Sequence, residues 1–351
     1  MATMENTAGG RLAVSAQTGQ VAGGLRFDWI FTLLATLLVG GVFLDGWAHN
    51  HGKVDQSFFT PWHAVLYSAF AIIGAFLFFT LIINHQKGYA WRRAVPVGYE
   101  TSVLGAIIFG VGGVGDLAWH QIFGIEKGIE GLISPSHLTL ALGVTLMMSG
   151  PLRAAWQRRD GEAGPGWAAL LPAVLVLAYI MSLLMFFTQY AHPIIKSRVD
   201  EAGEGEIIGV AGILLQSAIM MGIVLLAIRR WRLPVGAFAL MFTLNGLFVD
   251  VLAGDIMLLN VGILYAVLGF VADLLNLALK PSAERAGAVR LFAFAVPLVF
   301  YAVYFWASLA IAGEIAWSVH VWTGAIFLAG IVGLLLSYLL VPPRLPAGQG
   351  Q

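Results

Sequence analysis

Two stretches of this chain carry side chains able to hold a metal ion. The first reads Asp45-Gly-Trp-Ala-His49 and, one loop later, Thr60-Pro-Trp-His63. The second reads Asp116-Leu-Ala-Trp-His120, followed by Ser134-Pro-Ser-His137. Asp45 and Asp116 lie 71 positions apart (116 − 45), as do His49 and His120 (120 − 49). On a helix, Asp and His four residues apart share one face, one turn above the other. Thr or Ser followed by Pro suits a helix start, with the hydroxyl as cap and Pro at the first position, where no N–H is needed. Each unit therefore predicts a hairpin in which D-x3-H closes one helix and [ST]-P-x-H opens the next. One Asp and two His converge at its turn. Three such ligands with an open position suit a catalytic or exchangeable metal. A lone D-x3-H is usually an interfacial pair, and a lone [ST]-P-x-H a helix start. Two copies in register favour metal binding over a duplicated cap. A worn third copy, Thr188-Gln-Tyr-Ala-His192, lacks the Asp, which leaves His192 open as a loop residue, a partner behind the ligands or a ligand itself.

The elements that position these residues must be apolar. Of 351 residues, 59% are hydrophobic and 11% charged, with zero net charge and a mean hydropathy of +0.84. A soluble domain carries roughly 25% charged residues, so the solvent of this chain is lipid. Nothing in the charge balance points to nucleic acid. The chain has no cysteine, which excludes disulfides, thiolate sites and Cys nucleophiles. About 20 apolar residues cross a bilayer, and spans are expected near 28–45, 63–84, 101–118, 137–152, 168–190, 207–228, 235–253, 257–279, 291–312 and 319–340. The expected fold is an all-α polytopic membrane bundle of about ten helices, with a duplicated helical hairpin in spans one to four. Its divisions are a disordered cytoplasmic tail (1–25, not a signal peptide), the metal-site hairpins (26–152), six further membrane helices (153–341) and a second tail (342–351).

With a cytoplasmic N-terminus, 15 of the 19 Lys and Arg residues fall on the cytoplasmic side and four, Lys53, Lys127, Lys196 and Arg198, on the other. By the positive-inside rule both termini are cytoplasmic, in a plasma (inner) membrane, and the Asp/His units face outward. Seven of the eight His residues share that outer face, His85 being the exception. Several acids accompany them. Glu126 and Glu130, one helical turn apart, are candidate catalytic proton carriers, ligands or a solvated pair. Asp250 and Asp255 flank a short turn and are candidates to line a cavity, while Glu314 and His320 bracket the last outer turn. His51 reads as a loop residue or supplementary ligand, the 200–206 acidic loop as solvated surface, and Asp273 as a structural hydrogen bond.

At Asp45, His49 and His63 the sequence resembles the metal site in the C subunit of the copper membrane monooxygenases, the particulate methane and ammonia monooxygenase family. That subunit carries Asp-x3-His on a membrane helix and a further His shortly after, near the outer face. Asp116, His120 and His137 match with a longer spacing, the unit is doubled here, and the other helices carry no signature of that family. The resemblance implies copper, with zinc or iron as other options, and oxygen chemistry.

Three functions follow as expectations. The first is a metal-dependent, monooxygenase-like oxidoreductase, or a subunit of one, with Asp45, His49, His63, Asp116, His120 and His137 as ligands. Its substrate would be small and apolar, and partner membrane subunits or a homo-oligomer would complete it. The second is a metal or small-molecule transporter or sensor; the apolar stretches beyond His63 and His137 and the absence of an inverted repeat weigh against a pathway through the bilayer. The third is a non-catalytic membrane scaffold, which would hold no stoichiometric metal.

Overall fold

The computed structural model describes residues 21, 23–53, 58–126, 128–158, 166–195, 199, 201–254 and 260–342. Most of the expected tails, the acids Asp55, Asp200 and Asp255, and the cations Arg11, Lys127, Arg159, Lys196, Arg198 and Arg344 lie outside the described residues. The chain is an all-helical bundle. In order, the helices are α1 (Leu25–Asn50), α2 (Pro61–Gln86), α3 (Glu100–Phe123), α4 (Glu130–Ile133), α5 (Pro135–Met148), α6 (Gly150–Gln157), α7 (Trp167–Phe187), α8 (Glu204–Arg230), α9 (Ala237–Ala253), α10 (Asn260–Leu279), α11 (Ala286–Ala312) and α12 (Val319–Leu340).

Nine segments among the described residues are long and apolar enough to cross a membrane, with α5 and α6 together forming one of them, Pro135–Gln157. The expected seventh span appears as the shorter α9, of 17 residues, at the lower limit of about 17–25 for a spanning helix. Large apolar side chains point outward along the helices: Leu33, Val111, Ile263 and Leu339 are all at least 60% exposed. In water this would be an aggregation surface; on nine apolar helices it is the face turned to lipid. The protein is an integral membrane protein.

The local signals that start the helices act as their chemistry requires. Thr60 Oγ1 accepts from His63 N at 3.1 Å, with Pro61 opening α2. Ser134 Oγ accepts from His137 N at 3.5 Å, with Pro135 opening α5. Helix pairing is then set by missing side chains. A Cβ on Gly41 would stand 2.9 Å from Leu66 Cα, and one on Gly143 would stand 2.6 Å from Phe109 N. So α1 packs against α2, and α3 against α5, almost backbone to backbone, the small-residue packing that replaces hydrophobic drive in lipid. Both hairpins thereby bring the end of one helix against the start of the next.

Buried apolar side chains fall into two clusters. One joins α1, α2, α3 and α5 with Tyr179, Leu183 and Phe186 of α7 and Leu252 of α9. The other is built from residue 152 onward. Polar ties close the ends. Tyr99 Oη donates to Asp28 Oδ1 at 2.7 Å, and Arg158 pairs with the other oxygen of Asp28. The Asp273 carboxylate of α10 accepts from Phe238 N and Ala239 N at the start of α9 (3.3 and 2.9 Å). The Asp250 carboxylate of α9 accepts from Val261 N and Gly262 N at the start of α10 (3.3 and 2.8 Å). Asp273 thus makes the structural bond expected of it. Asp250, a candidate to line a cavity, instead caps a helix: the four leading N–H groups of α10 lack partners within the helix, and a carboxylate there satisfies them.

Candidate metal centre

The six expected ligands assemble as two separate triads, Asp45/His49/His63 and Asp116/His120/His137, with the ligand atoms of each within 4.8 Å of one another. Both hairpins present them the same way. In the first, Asp45 Oδ2 lies 3.8 Å from His49 Nε2 and Oδ1 lies 3.5 Å from His63 Nε2. In the second, Asp116 Oδ2 lies 3.5 Å from His120 Nε2 and Oδ1 lies 3.5 Å from His137 Nε2. The first set is the wetter: His49 and Asp45 side chains are 25% and 15% exposed, against 2% for His120 and Asp116.

The other ring nitrogens decide what these distances mean. His63 Nδ1 bonds Phe58 O at 2.6 Å. His120 Nδ1 meets Gly124 O at 3.3 Å and Glu126 Oε2 at 3.1 Å. Carbonyl and carboxylate oxygens only accept, so in both rings Nδ1 carries the hydrogen, and a neutral imidazole then turns its Nε2 lone pair toward the Asp. Lone pair and carboxylate face each other with a gap wider than the about 2.7–3.2 Å of an N–H···O bond. Asp45 Oδ1, Asp116 Oδ1 and His120 Nε2 are buried without a hydrogen-bond partner. Two acceptors facing across such a gap call for a cation between them, either a ring proton or a metal. Tetrahedral arms of about 2.0–2.1 Å span ligand–ligand edges of about 3.4 Å, and the donor set of imidazole and carboxylate suits first-row divalent ions. The residues fit a metal. Nδ1–H held by a carbonyl or carboxylate is the outer support that fixes a ligating His ring.

The triads are neighbours. The Phe58 ring lies 4.8 Å from that of His63 and 6.0 Å from that of His120. Tyr67, one turn beyond His63 with ring centroids 6.0 Å apart, sits within electrostatic reach of both Asp45 and Asp116. Neither aromatic residue was expected from the sequence; Tyr67 at four residues beyond His63 is a signal that helical spacing offers.

Of the two glutamates, Glu126 comes to the cluster through His120, while Glu130 is exposed at the first turn of α4. His192 is fully buried in the core, where its Nδ1 accepts from Ile194 N and Ile195 N (3.2 and 3.3 Å). It closes a turn of its own chain and stands in neither triad. Burial lowers its pKa to about 3. His51 Nδ1 bonds Trp47 O at 2.8 Å, and its ring stacks on Trp47. Glu314 and His320 are exposed at the α11–α12 turn.

A cavity of about 570 Å³ opens beside the triads, with Asp45, His49, Glu126 and His137 in its wall. Compared with known proteins, the chain matches no family model, no curated protein and no solved structure.

Proposed function

We propose that this protein is a membrane metalloprotein of the oxidoreductase kind, monooxygenase-like, with one first-row ion in each of two adjacent Asp/His/His sites. The observation that carries this reading is the buried face-off between carboxylate oxygens and imidazole Nε2 atoms, repeated in both hairpins at nearly equal distances. Copper is the first candidate, from the resemblance to the copper monooxygenase C subunit, with zinc or iron next. The Lys/Arg distribution favours cytoplasmic termini and sites on the exoplasmic side. Two single-ion sites are favoured over one shared centre because the six ligands divide into two groups, with Phe58 against a His of each. The hairpins read as duplicates of one ancestral unit.

Each residue then has a task. Asp45 and Asp116 supply negative charge to an ion bound by neutral imidazoles. A bound copper would supply redox chemistry with oxygen. Glu126, whose Oε2 lies 3.1 Å from His120 Nδ1, flanks that ring and is the acid outside the triads placed to carry a proton in or out. Transport through the bilayer has less support, because the helices beyond His63 and His137 continue apolar, as in Leu66, Ile73, Leu140 and Val144.

The test is metal content by mass spectrometry on untagged protein purified in detergent without chelator, for wild type and the His49→Ala/His120→Ala double variant. Two equivalents in wild type and none in the variant are expected. Equal metal in both, or none in wild type after reconstitution, overturns the reading.

A further inference from the structure

The cavity beside the triads has two distinct ends. At one stand Asp45, His49, Glu126 and His137. Asn50 and Gln189 also line it and are bonded to one another at 2.7 Å. Beyond them the wall is wholly apolar. Val42 comes from α1, Leu66 from α2, Phe109 from α3, Leu140 and Val144 from α5, and Phe186 from α7. All six of these side chains are 9% exposed or less, so the apolar end lies inside the bundle and is no surface groove. It also runs deep. Phe109 precedes His120 by 11 residues and Val144 follows His137 by seven, which at about 1.5 Å per helical residue extends the wall roughly 10–16 Å along the helices from the histidines.

Its volume of about 570 Å³ falls within the roughly 300–1,000 Å³ of small-molecule sites, well beyond what one diatomic gas requires. Apolar cavities are poorly hydrated and take up apolar guests. A guest lying wholly in the apolar end would leave the carboxylate and imidazole end unmatched. An occupant that matches both ends has an apolar body and one polar head.

We propose that this chamber binds a lipid-soluble amphiphile, such as a medium-chain alcohol, its chain among Val42, Phe109, Leu140 and Val144 and its polar head at Asp45, His49 and His137. The position of the head rests on the metal reading of those residues; the position of the chain does not. Ala141, on the α5 wall one turn beyond His137, is the place to fill: an aromatic ring there enters the cavity between His137 and Val144.

The experiment uses full-length protein in lipid nanodiscs and a decanol carrying a photoreactive diazirine, with cross-linked residues mapped by mass spectrometry. The same samples are assayed for metal. Expected is labelling of chamber residues that saturates, that excess decanol displaces and decane displaces poorly, and that is lost in Ala141→Phe and in Val42→Phe while metal is retained. Two variants on different helices guard against one that misfolds. Labelling confined to lipid-facing residues such as Leu142 and Ile72, or labelling that never saturates, overturns the chamber. Equal displacement by decane overturns the placement of the head. Saturable chamber labelling in wild-type protein that holds no metal retains the chain site and ends the metal reading, so the two failures are told apart.

Discussion

At the scale of single residues, the two triads differ in what supports them. The His120 ring has Glu126 against its Nδ1. Removing an outer partner of a ligating His typically lowers metal affinity about 10–100-fold, so Glu126→Ala is expected to release metal from the second site in a chelator competition, while Glu130→Ala behaves as wild type. Asp116→Asn should halve the metal stoichiometry, because the first triad shares no ligand with the second; loss of both equivalents would indicate one joint centre. His192 offers a separate, metal-independent test. Its folded pKa is lowered to about 3 from 6.5, and burial is the cause. The unfolded chain therefore takes up the proton first. Stability is unaffected above about pH 6.5 and falls as pH drops below it. The thermal midpoint of His192→Gln is expected to fall less than that of wild type between roughly pH 7.5 and pH 5, and equal falls would contradict the assignment. The grouping of the two Asp/His/His triads was legible in the sequence, since four-residue spacing and an [ST]-P cap are local rules. Which glutamate joins them was not. That depends on Gly124, whose positive φ of 84° ends α3 and turns the chain between His120 and Glu126, which then meet.

At the scale of elements, capping and the proposed ligation are coupled, because the residue whose N–H each cap accepts, His63 or His137, is itself a member of a triad. Thr60→Ala or Ser134→Ala is expected to cost about 1 kcal/mol of stability, measured as a lower thermal midpoint, and also to weaken metal retention in the hairpin concerned. A cap substitution that lowers stability without affecting metal would separate the two roles. The α3–α5 contact makes a sharper case. A Cβ on Gly105 would meet Met147 N at 2.3 Å, so Gly105→Leu must push the helices apart and is expected to remove metal from the second site alone. Among 42 glycines nothing in the sequence marks Gly105 and Gly143 as the ones a neighbouring backbone touches, whereas apolar runs of 20 or more residues name most of the spans themselves. The exception is α9. Its apolar run was read as an ordinary span, and its shortness emerges only where Gly236, with φ 94°, and Gly254 bound the helix.

At the scale of the whole molecule, the two apolar clusters divide the chain near residue 150, and α7 serves both. The triads and the chamber belong to the first; the second contributes bulk and Leu252, which reaches across. The reciprocal tie between α9 and α10 has a consequence for how this chain enters a membrane during synthesis. Asp250 and Asp273 are carboxylates in apolar helices, each accepting from amides at the start of the other helix. Until α10 has emerged, α9 is a short segment whose Asp250, in its last turn, lacks the amides of α10, and an acid within a membrane helix opposes insertion. The two helices must therefore leave the translocation channel as a pair. Chains truncated after residue 254 and carrying a glycosylation acceptor beyond α9 are expected to show α9 unsettled across the bilayer, while chains extended through Leu279 show it in place. Asp273→Leu should mimic the truncation, giving one substitution in α10 that redirects the topology of the helix made before it.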